Sequence, residues 1–448
     1  MRGTAIVGQK GLRSGIAVCA VAIVTALASL QAADGDRPIV LKAARLFDGK
    51  SDKLLSPAVV VVRGTDIELV GADARTPEGA QVIDLGDATL VPGFMDAHTH
   101  LSAEHPVDFK QAELDGMKKT TAEKALDASE VVRKTLMAGF TTVRDVGSTE
   151  FIDVGLRNAI RSGKIPGPRM LVAVHAAGAT GGHCDPTGGY RYGQMDHESG
   201  IADGIGTGPD AMRAIVRFNV KYGADVIKVC ATGGVLSESD DVDSPQLSQA
   251  ELDALVDEAH ALKRKTAAHA HGAEGIKRAV RAGIDSIEHG TFADTEALDM
   301  MKARGTYLVP TLMASQGLRE AFASNKYIPP AIAVKAKAAL AGIDQTVRNA
   351  IQKGVRIALG TDAGVYPHGR NAEEFGQLVA RGMRPIDALR AGTSVDAGLL
   401  GIAARTGTIE RGKAADIVAV PGNPLEDIRV TEKVKFVMKE GKVYRNDR

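Results

Sequence analysis

Residues 248–272 read SQAELDALVDEAHALKRKTAAHAHG. Ser248 and Glu251 have the spacing of a capping box, in which each side chain accepts from the other residue's backbone N–H at a helix start. Leu252, Leu255, Val256, Ala259 and Leu262 follow at helical spacing, and TAAHAHG then changes to a short run of strand type. The same unit begins at Thr120 and Glu123, carries Ala125, Ala128, Val132 and Leu136 down one face, stops at Gly139 and continues as FTTVRDVG. Glycine recurs at this joint, at Gly139, Gly223, Gly283, Gly305 and Gly354, because the residue that ends a helix often takes a positive φ. The strand-type segments in order are VPGFMDAH, FTTVRDVG, RMLVAVHAAG, ADVIKVCATGG, TAAHAHG, DSIEHG, TYLVPTLM and RIALGTDAG. Eight β units separated by helices predict an α/β fold, a (β/α)8 TIM barrel over residues 91–408 rather than an open doubly wound sheet.

Outward from the barrel, residues 38–90 break into short β-type segments, and the texture returns near the C-terminus as ADIVAVPG and VKFVMKEGKVY, with a tight turn expected at Glu440-Gly441. These ends, 34–90 and 409–448, are expected to build one small β-sandwich domain together. Residues 1–33 differ: Arg2, Lys10 and Arg13 precede the apolar stretch Ile16 to Leu30, and Ala32 and Ala33 follow. That is the layout of a secretory signal peptide cleaved after Ala32 or Ala33. The stretch is short of the roughly 20 residues a spanning helix needs. The expectation is an exported protein, periplasmic or secreted, with no stable membrane insertion after cleavage.

The 448 residues are 44% hydrophobic and 25% charged, a composition of ordered globular chains. The 55 basic and 55 acidic residues cancel, and no basic run offers a footprint for nucleic acid. Cleavage of the leader removes three cations and no anion, so the mature chain is mildly acidic. It also removes Cys19, leaving Cys184 and Cys230, too few for a disulfide framework although an exported compartment permits one bond. Both are expected to pack as small hydrophobes.

The polar residues within the strand-type segments are concentrated. His98 and His100 end the first, Lys228 lies in the fourth, His269 in the fifth, His289 in the sixth and Asp362 in the eighth. A barrel turns the C-terminal ends of its strands into one mouth, so these distant residues are expected to converge. His98 and His100 share a face because alternate strand residues point the same way, and two imidazoles on one face suit a divalent metal such as Zn²⁺. Each alone has an ordinary structural reading; metal-ligand types at five strand ends do not.

VPGFMDAHTHL, SIEHG and LGTDAG, in that order, resemble the motifs of the metal-dependent amidohydrolase superfamily. The lysine in VIKVCATGG, the AAHAHG segment and the GTDAGVYPHGRN loop are similar to its branch of Xaa-Pro dipeptidases and imidazolonepropionase-like hydrolases, which includes secreted ochratoxin-type N-acyl amino acid amidohydrolases. The resemblance implies a binuclear site with Lys228 as an N6-carboxylysine formed with CO₂. One metal would take His98, His100, Lys228 and Asp362, and the other Lys228, His269 and His289, with two Zn²⁺ as the expected ions. A metal-bridging hydroxide would be the nucleophile, and Asp362 the catalytic residue that carries its proton to the leaving amine.

The expected substrate is a small carboxy-terminated amide: an Xaa-Pro or other dipeptide, or an N-acyl or aryl amino acid amide such as ochratoxin. His183, Tyr190 and Arg191 in the glycine-rich segment after the third strand, His271 beside His269, and His368 and Arg370 after the eighth are the candidate substrate-binding residues. Whether His269 or His271 is the ligand is open. The competing enzymatic reading is a cyclic-amide hydrolase or a deaminase. A non-catalytic barrel kept for assembly or binding is the other alternative. The resemblance also implies a homo-oligomer, in some relatives an octamer.

Overall fold

The computed structural model describes residues 37–103, 109–195, 197–324 and 327–447, and the expected leader lies outside them. Both capping boxes form, Thr120 with Glu123 and Ser248 with Glu251, and start the helices Thr121–Met137 and Gln249–Ala261. The five joint glycines all have left-handed φ, from +72° to +109°.

The first three barrel-type strands, Phe94–Thr99, Phe140–Asp145 and Arg169–Val172, pair in parallel. The fourth to seventh, Val226–Cys230, Lys265–Ala270, Ser286–His289 and Tyr307–Val309, form a second parallel sheet in chain order. Hydrogen bonds continue between them. The Asp225 N–H donates to the Val172 carbonyl and the Ala177 N–H to the Lys228 carbonyl, each at 2.7 Å. On the other side the Leu308 N–H donates to the Arg356 carbonyl at 2.8 Å, the Ala97 N–H to that of Leu359 at 2.8 Å and the Asp362 N–H to that of His98 at 2.7 Å. Residues 356–363 thus run between the seventh and first strands.

Three expected strands are shorter than their apolar runs. The third stops at Val172, before Val174 turns left-handed at φ +68°. The seventh stops at Val309 because Pro310 has no N–H to donate, and Leu312 and Met313 open the helix Leu312–Ala323 instead. The eighth segment makes only isolated bridges, at Ile357 and Ala363, since Asp362 turns left-handed at φ +60°.

Helices cover the outside of these strands with the faces their spacing predicts. Val131, Val132 and Leu136 are buried with Phe140 and Val143, and Leu252, Leu255 and Val256 with Ile227 and Val229. Each such side chain contributes about 1.5–3 kcal/mol on full burial. Two further sheets follow, the first from N-terminal strands alone and the second from both chain ends. One has the order Asp66–Val70, Ala58–Arg63, Ile39–Ala43, Gln81–Asp84; the other joins Lys442–Asn446, Phe436–Lys439, Ile417–Pro421, Ala88–Pro92 and Arg45–Leu46. Leu41, Val60 and Ile83 from the first share a core with Leu90, Ile417 and Phe436 from the second. The expected turn is present, with Glu440 at φ +49° and Gly441 at +74°.

Gly360 marks the tightest joint of the eighth segment: a Cβ there would lie 2.3 Å from Val309 Cγ1 and 2.9 Å from His98 Cβ. Gly360→Ala is expected to destabilise the protein by roughly 1–3 kcal/mol through overpacking. Gly155→Ala, in the exposed middle of the helix Ile152–Arg161 with nothing within 4 Å of its Cβ, is expected to stabilise by about 0.4–1 kcal/mol. Thermal melting of the two variants checks the contrast.

Candidate metal centre

The ends of the first, fourth, fifth, sixth and eighth segments meet as expected. One cavity is lined by His98, His100, Lys228, His269, His271, His289 and Asp362. The Nε2 atoms of His98 and His100 each stand 3.4 Å from Asp362 Oδ1. The His98 ring lies 5.1 Å from that of His289, and His289 lies 4.7 Å from His269. His289 and Asp362 both have left-handed backbones, at φ +69° and +60°. For residues with a Cβ this conformation is costly, on the order of 1–3 kcal/mol each, and such residues cluster where function demands the geometry.

Most rings are anchored through Nδ1. That atom of His98 is 2.8 Å from Glu288 Oε2, that of His100 is 2.9 Å from the Gly147 carbonyl, and that of His289 is 2.7 Å from Thr311 Oγ1. An imidazole held at one nitrogen presents the other in a fixed direction, as metal-binding histidines do. His269 is turned the other way: its Nε2 is 3.3 Å from the Gly233 carbonyl, so Nδ1 is the nitrogen it can offer. Glu288 is in turn held by Arg144 Nη2 at 2.9 Å and by the Ser286 hydroxyl at 2.5 Å, all of them buried.

Burial dominates the electrostatics. It lowers the pKa of His98, His269 and His289 well below that of a free imidazole, and Lys228 adds to the effect. His100 falls to about 4 and His271 to about 3 for the same leading reason. The Lys228 ammonium is pushed down to about 8 by burial, against the pull of Glu288 and Asp362, and burial raises Asp362 to about 7. Neutral imidazoles and a carboxylate are what a divalent cation requires of its ligands, and Lys228 joins them only once its ammonium has lost a proton. Among the described residues, two groups have donor atoms within 4.8 Å of one another: His98, His289 and Asp362, and His269, His271 and His289. The donor set therefore fits metal. His269 and His271 both approach His289, with the His271 ring stacked on it at 4.8 Å and its Nδ1 2.7 Å from Thr291 Oγ1.

Part of the cavity wall is apolar, formed by Val235, Leu236, Leu318, Ala339 and Ile343. Of the residues expected to bind substrate, His183 and His271 line the cavity and four do not. Tyr190 and Arg191 are exposed to solvent, with Arg191 bonded to Gln194 at 2.9 Å. Arg370 is paired with Glu320 and Glu373 at 2.7–2.9 Å, which leaves its guanidinium already neutralised. His368 is buried with Nε2 3.1 Å from the Ala103 carbonyl. Cys184 and Cys230 are joined as a disulfide with a Cα–Cα distance of 6.0 Å, rather than packing as separate thiols. Sequence reasoning also missed Glu288 and Arg144, although a charge inside an apolar strand was a usable signal at both. The apolar wall, drawn from helices and loops, left no such signal.

The amidohydrolase family profile matches residues 89–444. Ochratoxinase of Aspergillus niger is 32% identical over 445 residues, 92% of this chain and 88% of that protein. Its crystal structure superposes with a TM-score of 0.78, covering 92% of this chain and 96% of that one. A Xaa-Pro dipeptidase crystallised with methionine in its active site is 41% identical with a TM-score of 0.87, over 91% of this chain and all (100%) of that one. An imidazolonepropionase of Cutibacterium acnes is 26% identical over 413 residues, 85% of this chain and 90% of that protein. With a TIM-barrel-type fold, histidine and aspartate groups that could hold a metal, and this range of relatives, the chain belongs to the amidohydrolase family and is a hydrolase of carbon–nitrogen amide bonds.

Proposed function

We propose that this protein is a binuclear, metal-dependent hydrolase of small carboxy-terminated amides, either dipeptides or N-acyl amino acids. The observation that carries the reading is the placing of Lys228 within the same cavity as six imidazoles and Asp362. The ochratoxinase and Xaa-Pro dipeptidase relatives support the substrate class, and the apolar wall suits a hydrophobic side chain or aryl group on it. The segments from Phe94 to Ala363 are read as a closed barrel over 91–408, supported by the bonds between successive strands. The sheets at the two chain ends are read as a sandwich domain of 34–90 and 409–448. Export is supported by the Cys184–Cys230 bond, since disulfides persist in oxidising compartments.

His98, His100, Lys228 and Asp362 would hold one divalent ion, and Lys228, His269 and His289 the other, with zinc as the ion proposed. Bound there, the ions supply Lewis acidity that lowers the pKa of water and polarises the scissile carbonyl. Lys228 serves both sites as a carbamate: its neutral amine forms an N–C bond to CO₂ and releases a proton, which turns a cation into an anionic oxygen ligand. Its lowered pKa raises the fraction of amine able to react near neutral pH. The Asp362 carboxylate accepts the proton of the attacking water and returns it to the departing nitrogen, which leaves as a neutral amine.

Chelation should abolish turnover, and reconstitution should require two equivalents of metal per chain and be accelerated by bicarbonate. Metal analysis saturating at one equivalent would favour the cyclic-amide or deaminase reading. Asp362→Asn is expected to lower kcat by about 10²- to 10⁴-fold without lowering the melting temperature, as steady-state kinetics and calorimetry would measure. Screening the reconstituted enzyme on Xaa-Pro dipeptides and N-acyl-Phe amides tests the substrate class; no turnover of any of them would overturn it.

A further inference from the structure

Beside the candidate metal centre a chain of part-buried polar contacts ends on His183. Lys335, buried on the helix Pro330–Lys353, donates from Nζ to Asp240 Oδ1 at 2.9 Å, to the Asp240 carbonyl at 3.0 Å and to the Ser237 carbonyl. The Ser237 hydroxyl lies 2.6 Å from the same Asp240 oxygen, and 2.8 Å from His183 Nδ1. A hydroxyl has one proton, and a carboxylate oxygen can only accept it. Ser237 therefore donates to Asp240 and accepts from His183, which fixes Nδ1 as the N–H of the ring. The other Asp240 oxygen accepts from Gln246 Nε2 at 3.0 Å, and Gln246 Oε1 accepts from the His183 backbone N–H at 2.8 Å.

The ring is also held by shape. It stacks on His269 at 4.3 Å between centroids, and Gly234 packs against it so closely that a Cβ there would lie 2.1–2.4 Å from three ring atoms. With Nδ1 engaged, Nε2 is the polar atom that His183 brings to the cavity.

We propose that Lys335, acting through Asp240 and Ser237, is the positioning residue for His183, and that His183 Nε2 contacts the bound substrate as a hydrogen-bond acceptor from a substrate N–H. It assigns functions to Lys335, Asp240 and Ser237, none of which lies among the residues lining the cavity. It rests on the amide-hydrolase reading.

The test is a double-mutant cycle on the metal-loaded full-length enzyme, with N-acetyl-Phe or the best-cleaved amide as substrate. His183→Ala and Lys335→Met should each raise KM, by up to about a hundredfold, with kcat changed far less and metal content unchanged. The double variant should be no worse than His183→Ala alone, because Lys335 then has nothing left to position. Lys335→Arg should restore part of the loss. If Lys335→Met does not fold, Asp240→Asn takes its place in the same cycle. Multiplying losses in the double variant, or a wild-type KM in Lys335→Met, would overturn the proposal. Failure of the wild type to cleave any amide would instead overturn the functional reading beneath it.

Discussion

The buried ion pair of Arg144 and Glu288 is the joint on which the site rests. Arg144 comes from the second strand and Glu288 from the sixth, and Arg144 Nε also donates to the Ala97 carbonyl of the first at 2.5 Å. Charges so deeply buried are expensive, with an effective desolvation penalty of several kcal/mol per ion. The cost is offset only because the Glu288 oxygens are shared among Arg144, Ser286 and the His98 ring. The pair does not simply staple strands together. It fixes which nitrogen of His98 is tethered and which faces the cavity, so the chemistry at the mouth is set by a contact inside the strands.

Much of the fold was legible in the sequence because it depends on local rules. Capping boxes at Thr120 and Ser248, helix-ending glycines and the Glu440-Gly441 turn are decided by residues a few positions apart, and all appear where expected. The strand lengths were less legible. Apolar runs such as TYLVPTLM and RIALGTDAG do not announce where backbone direction changes, and Pro310 and the left-handed Asp362 made that decision. The ligand-type residues converged as strand order implies, since parallel strands bring all their C-terminal ends together. Tyr190, Arg191, His368 and Arg370, also expected to bind substrate, lie outside the cavity lining. Loop residues are placed by partners elsewhere in the chain, as Glu320 takes Arg370 away from the cavity.

The cavity lining is chemically of two kinds. It joins imidazoles, Lys228 and Asp362 with aliphatic side chains that include Leu318 of the helix Leu312–Ala323 and Ala339 and Ile343 of the helix Pro330–Lys353. That long helix has two duties, since Ala339 and Ile343 form part of the apolar wall while Lys335 reaches the loop behind His183. The disulfide adds a third constraint, tying Cys184, next to His183, to Cys230 at the end of the fourth strand, two residues beyond Lys228. Lys228's strand and the loop that carries His183 are therefore tied to each other.

The left-handed backbones at His289, Thr311 and Asp362 carry an evolutionary implication. Strain at three neighbouring positions and a buried carboxylate are burdens that folding alone would never select. A descendant relieved of catalysis would gain stability by replacing these residues with glycine or asparagine, which tolerate that backbone better. Loss of the chemistry would then be favoured rather than merely tolerated. With histidine, threonine and aspartate at these positions, the chain gives up stability that a glycine backbone would keep.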